Sequence, residues 1–156
     1  MAGKAELQNL YRSVIRNTLG VDAFLDEEGD VTFDVPLQGT FYVMLDAQND
    51  PEYFMLVFPN FYKVDKGNYD TVLSAVNTVN NTNKAVKLSF RDKDWSGNLK
   101  ASAEMFIAAP NEIPDAVLLG HVLRRTLGAI ISGVKAFSQA MSATHPEDVT
   151  MPPTRW

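Results

Sequence analysis

The residues able to carry out chemistry are few and form no recognisable catalytic set. Histidine occurs only at His121 and His145, and neither belongs to a His–carboxylate spacing such as HExxH. The chain has no cysteine, which excludes disulfides, thiolate metal sites and a cysteine nucleophile. Glycine-rich phosphate loops and the GxSxG serine elbow are absent as well. The sequence therefore predicts a protein that is not an enzyme and needs no cofactor.

The acidic stretch Asp26–Asp30 is the one candidate for a metal site, because Ca²⁺ takes several oxygen ligands. An EF-hand loop starting at Asp26 would need glycine at its sixth position and glutamate at its twelfth. Val31 and Leu37 stand at those positions. We therefore interpret the stretch as a solvated turn and predict no metal site.

An aromatic-rich segment is the stronger candidate for a functional surface. Two predicted strands, Thr40–Asp46 and Glu52–Phe58, are apolar on both faces, whereas a sheet with one solvated face shows polar alternation. The second face must be covered by a helix of the same chain, by a second copy or by a bound partner. The predicted partner-binding residues are Tyr42, Tyr53, Phe54, Phe58, Phe61 and Tyr62.

A second candidate surface is the basic doublet Arg124–Arg125 on the last predicted helix, which would contact an acidic protein. Trp95 and Trp156 are further candidates for anchoring a partner. The net charge of −5 disfavours nucleic-acid binding, which depends on clustered Lys and Arg. No signal peptide is recognisable at the N-terminus, and the apolar run Leu127–Val134 is too short to span a bilayer. We expect a cytoplasmic protein with no membrane partner.

Hydrophobic periodicity predicts three helices and five strands, in the order α-β-β-β-α-β-β-α. Short turns between strands indicate an antiparallel sheet and an α+β class, with a long C-terminal helix. The predicted elements are helices Gly3–Leu19, Asn68–Val79 and Ala116–Met141, and strands Val31–Val35, Thr40–Asp46, Glu52–Phe58, Val86–Arg91 and Leu99–Ile107. Residues 59–63 are predicted as a loop. Residues 1–141 form a single predicted domain, and residues 142–156 a flexible, proline-containing tail.

The central part of the chain resembles a known family. A helix that ends in asparagines at Asn80, Asn81 and Asn83 leads into a hairpin, and the phrase Ala103–Ile107 precedes the final helix. In these features the chain resembles the YbjN family, which shares its fold with type III secretion chaperones of the CesT kind. The resemblance extends from Leu7 to Met141 but transfers no functional residue.

The resemblance implies a small acidic protein, often a homodimer, that binds a segment of another protein. We therefore expect a non-enzymatic chaperone-like module that binds a partner protein or peptide through apolar sheet surface. The alternative is a regulatory or sensory adaptor that uses the long C-terminal helix. An apolar strand face could equally be a dimer interface or be buried by the chain itself.

Overall fold

The structure, a computed structural model, describes residues 3–91 and 97–143 of the 156-residue chain. The predicted α+β class, the antiparallel sheet and the long C-terminal helix are confirmed. The elements in chain order are α1 (Lys4–Leu19), β1 (Ala23–Leu25), β2 (Val31–Val35), β3 (Gly39–Met44), β4 (Tyr53–Val64), α2 (Tyr69–Thr82), β5 (Lys87–Phe90), β6 (Gly97–Phe106) and α3 (Ala116–Ala143).

The strands form one six-stranded sheet in the order β1-β2-β3-β4-β6-β5, and every neighbouring pair is antiparallel. The acidic stretch between β1 and β2 is a turn, as predicted. The Asp26 carboxylate accepts the backbone N–H groups of Glu28 and Asp30, at 3.0 and 2.9 Å, and so closes the turn internally. Within the described residues, no group of three or more acidic or histidine side chains is placed to hold a metal ion.

Two strand predictions were incomplete. Strand β1 was not predicted, since its three residues are too few to show a period, and it is defined by its pairing with β2. The predicted loop 59–63 is instead the second half of β4, which continues to Val64. A register shift between Phe58 and Tyr62 interrupts the pairing of β4 with β6. Such a β-bulge tolerates Pro59, which has no N–H to give to the ladder.

All three helices pack against the same face of the sheet. Helix α1 places Leu7, Tyr11, Val14 and Ile15 in the core at helical spacing, and the Tyr11 ring stacks on Phe54 of β4 at 6.4 Å. Helix α3 contributes Phe137, whose ring meets that of Tyr62 at 5.0 Å. Helix α2 buries Val72, Ala75, Val76 and Val79 in the same cluster. The sheet therefore has one face that the chain covers with its own helices.

Helix α3 is the only helix within residues 3–91 and 97–143 that is long and apolar enough to cross a membrane, judged by length and composition alone. One side of it, which includes Leu123, Ile130 and Phe137, is buried in the core. Core packing accounts for part of its apolar character, since 33% of its most apolar stretch is buried. Its glycines differ in environment: a Cβ at Gly133 would meet Val86 at 2.8 Å, whereas a Cβ at Gly128 would have no atom within 4 Å.

Candidate functional site

The face of the sheet opposite the helices is the candidate site, and we call it the open face. Its side chains alternate along each strand with those of the core, as the period of two requires. Met55 and Val57 lie outside the core cluster, although their strand neighbours Phe54 and Leu56 belong to it. The side chains that register and alternation place on the open face include Thr32, Tyr42, Met44, Tyr53, Met55, Val57, Lys87, Lys100, Ser102, Glu104 and Phe106.

The centre of the open face is apolar. Tyr42 pairs with Val57 across β3 and β4, and Met44 pairs with Met55. Beside them, the Phe106 ring lies 5.5 Å from the ring of Tyr53 and remains 67% exposed. No helix within the described ranges packs over these side chains, yet Met55 and Val57 are buried, at 9% and 0% exposure, and Phe106 is the most exposed of them. An exposed phenylalanine next to methionines and tyrosines is typical of an interaction surface.

Charged groups flank this apolar centre. Tyr53 Oη and Lys87 Nζ both donate hydrogen bonds to the Glu104 carboxylate. These two bonds, with the Lys87 contribution the larger, hold the pKa of Glu104 below its usual value. Burial, reinforced by the hydrogen bond to Glu104, raises the pKa of Tyr53 to about 12. The phenol therefore stays neutral and remains a hydrogen-bond donor at physiological pH.

Side chains occupy part of each edge of the sheet. At the β5 edge, the Asn80 side chain of α2 accepts the Leu88 N–H at 2.8 Å and donates to the Leu88 carbonyl at 3.0 Å. The backbone N–H of Arg91 donates to the Asn98 carbonyl of β6. Because backbone groups of successive residues point to opposite sides of a strand, the N–H and C=O of Leu88 point away from β6, towards the free edge of the sheet. At the β1 edge, Arg12 donates to the Ala23 carbonyl at 3.0 Å. Both contacts hinder the addition of a further strand.

The predicted partner-binding aromatic residues divide between the two faces. Tyr42 and Tyr53 lie half-buried on the open face. Phe54 is fully buried in the core on the opposite face. Phe58 packs against the core as well, with its ring stacked 4.6 Å from that of Phe41.

The last two predicted aromatics, Phe61 and Tyr62, pack against α3. Their ring centroids lie 5.5 and 5.0 Å from that of Phe137. Consecutive strand residues normally point to opposite faces, and the bulge in β4 is what allows both to contact the same side chain. The structure therefore places Tyr42 and Tyr53 on the same, open face, four residues of β4 apart, and places the other four aromatics against the core.

The basic doublet is also divided. Arg124 donates to the Thr18 carbonyl at 2.9 Å and so binds the C-terminal end of α1, where a cation complements the helix dipole. Arg125 is exposed. Trp95, Trp156 and residues 144–156 of the predicted tail lie outside the described residues, while Ser142 and Ala143 belong to α3.

Several open-face residues were not among the predicted site residues, namely Met44, Met55, Val57 and Phe106. The signal for the first three was present, because the alternation in the strands already separates them from the core residues. Phe106 was missed because it follows Ser102 and Glu104 on the same face of β6, where the pattern is polar.

Comparison with solved structures places this geometry in a known fold. The crystal structure of YbjN from E. coli matches with a TM-score of 0.61 at 11% sequence identity, covering 90% of this chain and 92% of that one. The ExsC–ExsE complex matches with a TM-score of 0.55 at 15% identity, covering 89% and 96%. The chain shares the fold of YbjN and of type III secretion chaperones.

A third match supports the same fold. The HopA1–SchA chaperone–effector complex gives a TM-score of 0.50 at 15% identity, with 85% of this chain and 92% of that one covered. No protein-family model matches the sequence, and no curated protein matches it. The predicted resemblance to YbjN and the secretion chaperones is thus confirmed for the fold.

Proposed function

We propose that this protein is a non-enzymatic, chaperone-like module that binds a segment of a partner protein on its open face. The supporting observation is the exposed ring of Phe106 at the end of β6, on the same face as the half-buried Tyr42, Met44 and Tyr53, which the described helices do not cover. A chaperone in complex with its effector has the same fold. Covering the apolar centre would contribute about 25 cal/mol for each Å² removed from water.

The partner segment lies across the open face rather than adding a strand to the sheet. Asn80 and Arg12 already bind edge groups of Leu88 and Ala23, so the edges offer fewer backbone hydrogen bonds than an uncovered strand. Side-chain contacts with Tyr42, Tyr53 and Phe106 then supply most of the binding energy, as aromatic residues do in interfaces. We also propose a cytoplasmic location, with no nucleic-acid or membrane partner.

A regulatory adaptor that works through α3 is the second candidate. Val117 and Leu118, at 70% and 47% exposure, lie near the start of that helix and favour this candidate. Arg125 remains available on its surface, whereas Arg124 is engaged with α1. A homodimer that buries the open face is a further alternative, because a second copy would cover the same apolar centre.

The test is selection of binders from a random peptide library displayed on phage, with the purified protein as bait. We then compare the affinity of a selected synthetic peptide for wild type, Phe106→Ser and Leu118→Ser. Both positions are exposed, so neither change should unfold the protein. We expect Phe106→Ser to weaken binding about tenfold, since truncating an aromatic contact in an interface costs roughly 1–2 kcal/mol.

Light scattering on the unliganded protein completes the test. A molar mass of 17.3 kDa is expected for the monomer. A dimer that Phe106→Ser dissociates would assign the open face to a second copy and overturn the proposal. A peptide whose affinity falls only for the Leu118→Ser variant would establish the α3 adaptor instead. If the library yields no binding peptide, that result would also count against a peptide-binding face.

A further inference from the structure

A hollow of about 380 Å³ opens beside the apolar centre of the open face, and its lining is rich in hydrogen-bond donors. It is lined by Tyr42, Pro59, Asn60, Arg91 and Lys100. Two of these five side chains are cations and none is an acid. The chain as a whole has a net charge of −5, so this lining is more positive than the molecule on average, although the carboxylates of Asp30, Glu28 and Asp26 act on the Tyr42 hydroxyl from outside it.

The β4 bulge explains why the hollow exists. Phe58 pairs with Ala101 and Tyr62 with Leu99, so three residues of β4 lie opposite the single residue Lys100 of β6. Asn60 adopts a left-handed backbone conformation there, with a φ of 55°, which asparagine tolerates better than most residues. The extra residues bend β4 away from a regular ladder and open space above Lys100.

One donor of the hollow is held in place by a hydrogen bond, and none makes a direct ion pair or hydrogen bond with an acidic side chain in the described residues. Asn60 Oδ1 accepts one N–H of the Arg91 guanidinium at 3.0 Å, which holds that side chain in place and leaves its other donors available. Across residues 3–91 and 97–143, the Lys100 ammonium makes no hydrogen bond and no close ion pair, but it interacts at longer range with the Glu104 carboxylate, to which Lys87 is bound directly. The Tyr42 hydroxyl adds a third donor.

We infer that this hollow is a carboxylate subsite of the open face, which takes an Asp or Glu side chain of the docked partner segment. The inference rests on the proposed function. A guanidinium, an ammonium and a phenol around one space match the donor requirements of a carboxylate. Because Tyr42 borders both the hollow and the apolar centre, the partner's acidic residue lies next to the apolar residue that packs on Tyr42.

The test repeats the peptide selection with a second bait, the double variant Arg91→Gln and Lys100→Gln. Lys84→Gln, at an exposed lysine of the α2–β5 connection, is the matched control. Wild type and Lys84→Gln should enrich peptides that have Asp or Glu beside apolar residues. The double variant should enrich the apolar residues without the acid.

A pair of synthetic peptides makes the effect quantitative. Replacing the selected Glu by Gln should weaken binding to wild type about fivefold to tenfold, as loss of a partly exposed charged hydrogen bond predicts. The same replacement should leave affinity for the double variant unchanged. High salt should shrink the difference, because the Debye length falls to about 3 Å at 1 M.

The two proposals fail in different ways. Peptides enriched without an acidic preference, with equal affinity for the Glu and Gln forms, would overturn the carboxylate subsite and leave the docking face standing. Enrichment of no peptide by any bait would overturn the docking face itself. An acidic preference that survives in the double variant would place the carboxylate elsewhere and would also contradict the inference.

Discussion

The two faces of the sheet carry different kinds of side chain, although the same strands build both. On the helix side, Phe54 and Leu56 are fully buried in one continuous cluster. On the open side, Tyr53 contacts the exposed ring of Phe106 and donates a hydrogen bond to Glu104. Met55 lies opposite Glu104 in the neighbouring strand. Met55 and Val57 are buried on the open side as well, so a strand that is apolar on both faces can bury side chains on a face that no described helix covers.

The bulge in β4 separates two halves of that strand in the same way. Before the bulge, residues alternate regularly between the core and the open face. After the bulge, the rings of Phe61 and Tyr62 both contact Phe137 on the helix side. On the other side of the strand, the same segment borders the hollow above Lys100. One irregularity thus strengthens the contact with α3 and shapes the open face.

The largest expected difference between the faces is in stability. Phe54→Ala should lower the free energy of unfolding by about 3–5 kcal/mol, because it leaves a cavity in a packed core. Phe106→Ala on the open face should cost only about 0.5–1.5 kcal/mol, most of it the ring contact with Tyr53. Urea unfolding of both variants measures the two values. Equal losses would mean that the open face is packed as tightly as the core.

The next effect concerns the edge of the sheet. Asn80→Ala should cost about 1–2 kcal/mol, since it removes both hydrogen bonds to the Leu88 backbone. Asn81→Ala, at an exposed neighbour in the same helix, should change stability by less than about 0.5 kcal/mol. Hydrogen exchange at the Leu88 amide should accelerate in the first variant alone. Equal exchange rates at Leu88 in the Asn80→Ala and Asn81→Ala variants would contradict the hydrogen bonding of Asn80 to the Leu88 backbone.

The covered face also depends on how closely α3 approaches its neighbours. Gly133→Ala should destabilise the protein by about 1–3 kcal/mol, because the new methyl group overlaps Val86. Gly128→Ala, where nothing lies within 4 Å, should stabilise it by about 0.5–1 kcal/mol through helix propensity. Thermal unfolding of the two variants tests whether Gly133→Ala lowers the melting temperature and Gly128→Ala raises it. Stabilisation by both would show that α3 is more loosely packed.

The smallest effect is a pH dependence on the open face. The folded-state pKa of Tyr53, raised from 10.0 to about 12, favours the protonated phenol in the folded protein. This contribution to stability is complete below pH 10 and is lost as the pH rises towards 12. Glu104→Gln removes the acceptor carboxylate, so the Tyr53 pKa should fall. The Tyr53 pKa is measured from tyrosinate absorbance during a pH titration, after subtraction of the signal of a matched Tyr53→Phe variant. A Tyr53 pKa that Glu104→Gln leaves unchanged would exclude a contribution from Glu104.

Periodicity in the sequence was sufficient to predict most of the fold. The alternation in Val31–Val35 and the spacing of Leu123, Leu127, Ile130 and Phe137 correctly predicted a strand and the long helix. The same alternation placed Tyr42 and Met44 on a face opposite Phe41 and Val43, as the structure does. The aromatic positions after Phe58 could not be placed in this way, because a bulge changes the phase of the alternation.

The remaining features depend on contacts between elements that are distant in the sequence. The hollow combines Tyr42, Asn60 and Lys100 from three strands with Arg91, and no local pattern places them together. Asn80 was recognised as part of a helix end, but its bonds to Leu88 depend on how α2 lies against β5. The missed strand β1 is likewise specified by its pairing partner and not by its own three residues.

Thiol protection tests the docking face most directly, because the chain has no native cysteine. A single thiol is introduced by Phe106→Cys on the open face, or by Leu118→Cys on α3 as the control. Maleimide labelling is then timed with and without a selected peptide. We predict that the peptide slows labelling at position 106 about tenfold and leaves position 118 unchanged, as a bound segment that excludes solvent would. Protection at position 118 with none at position 106 would contradict the assignment of the open face.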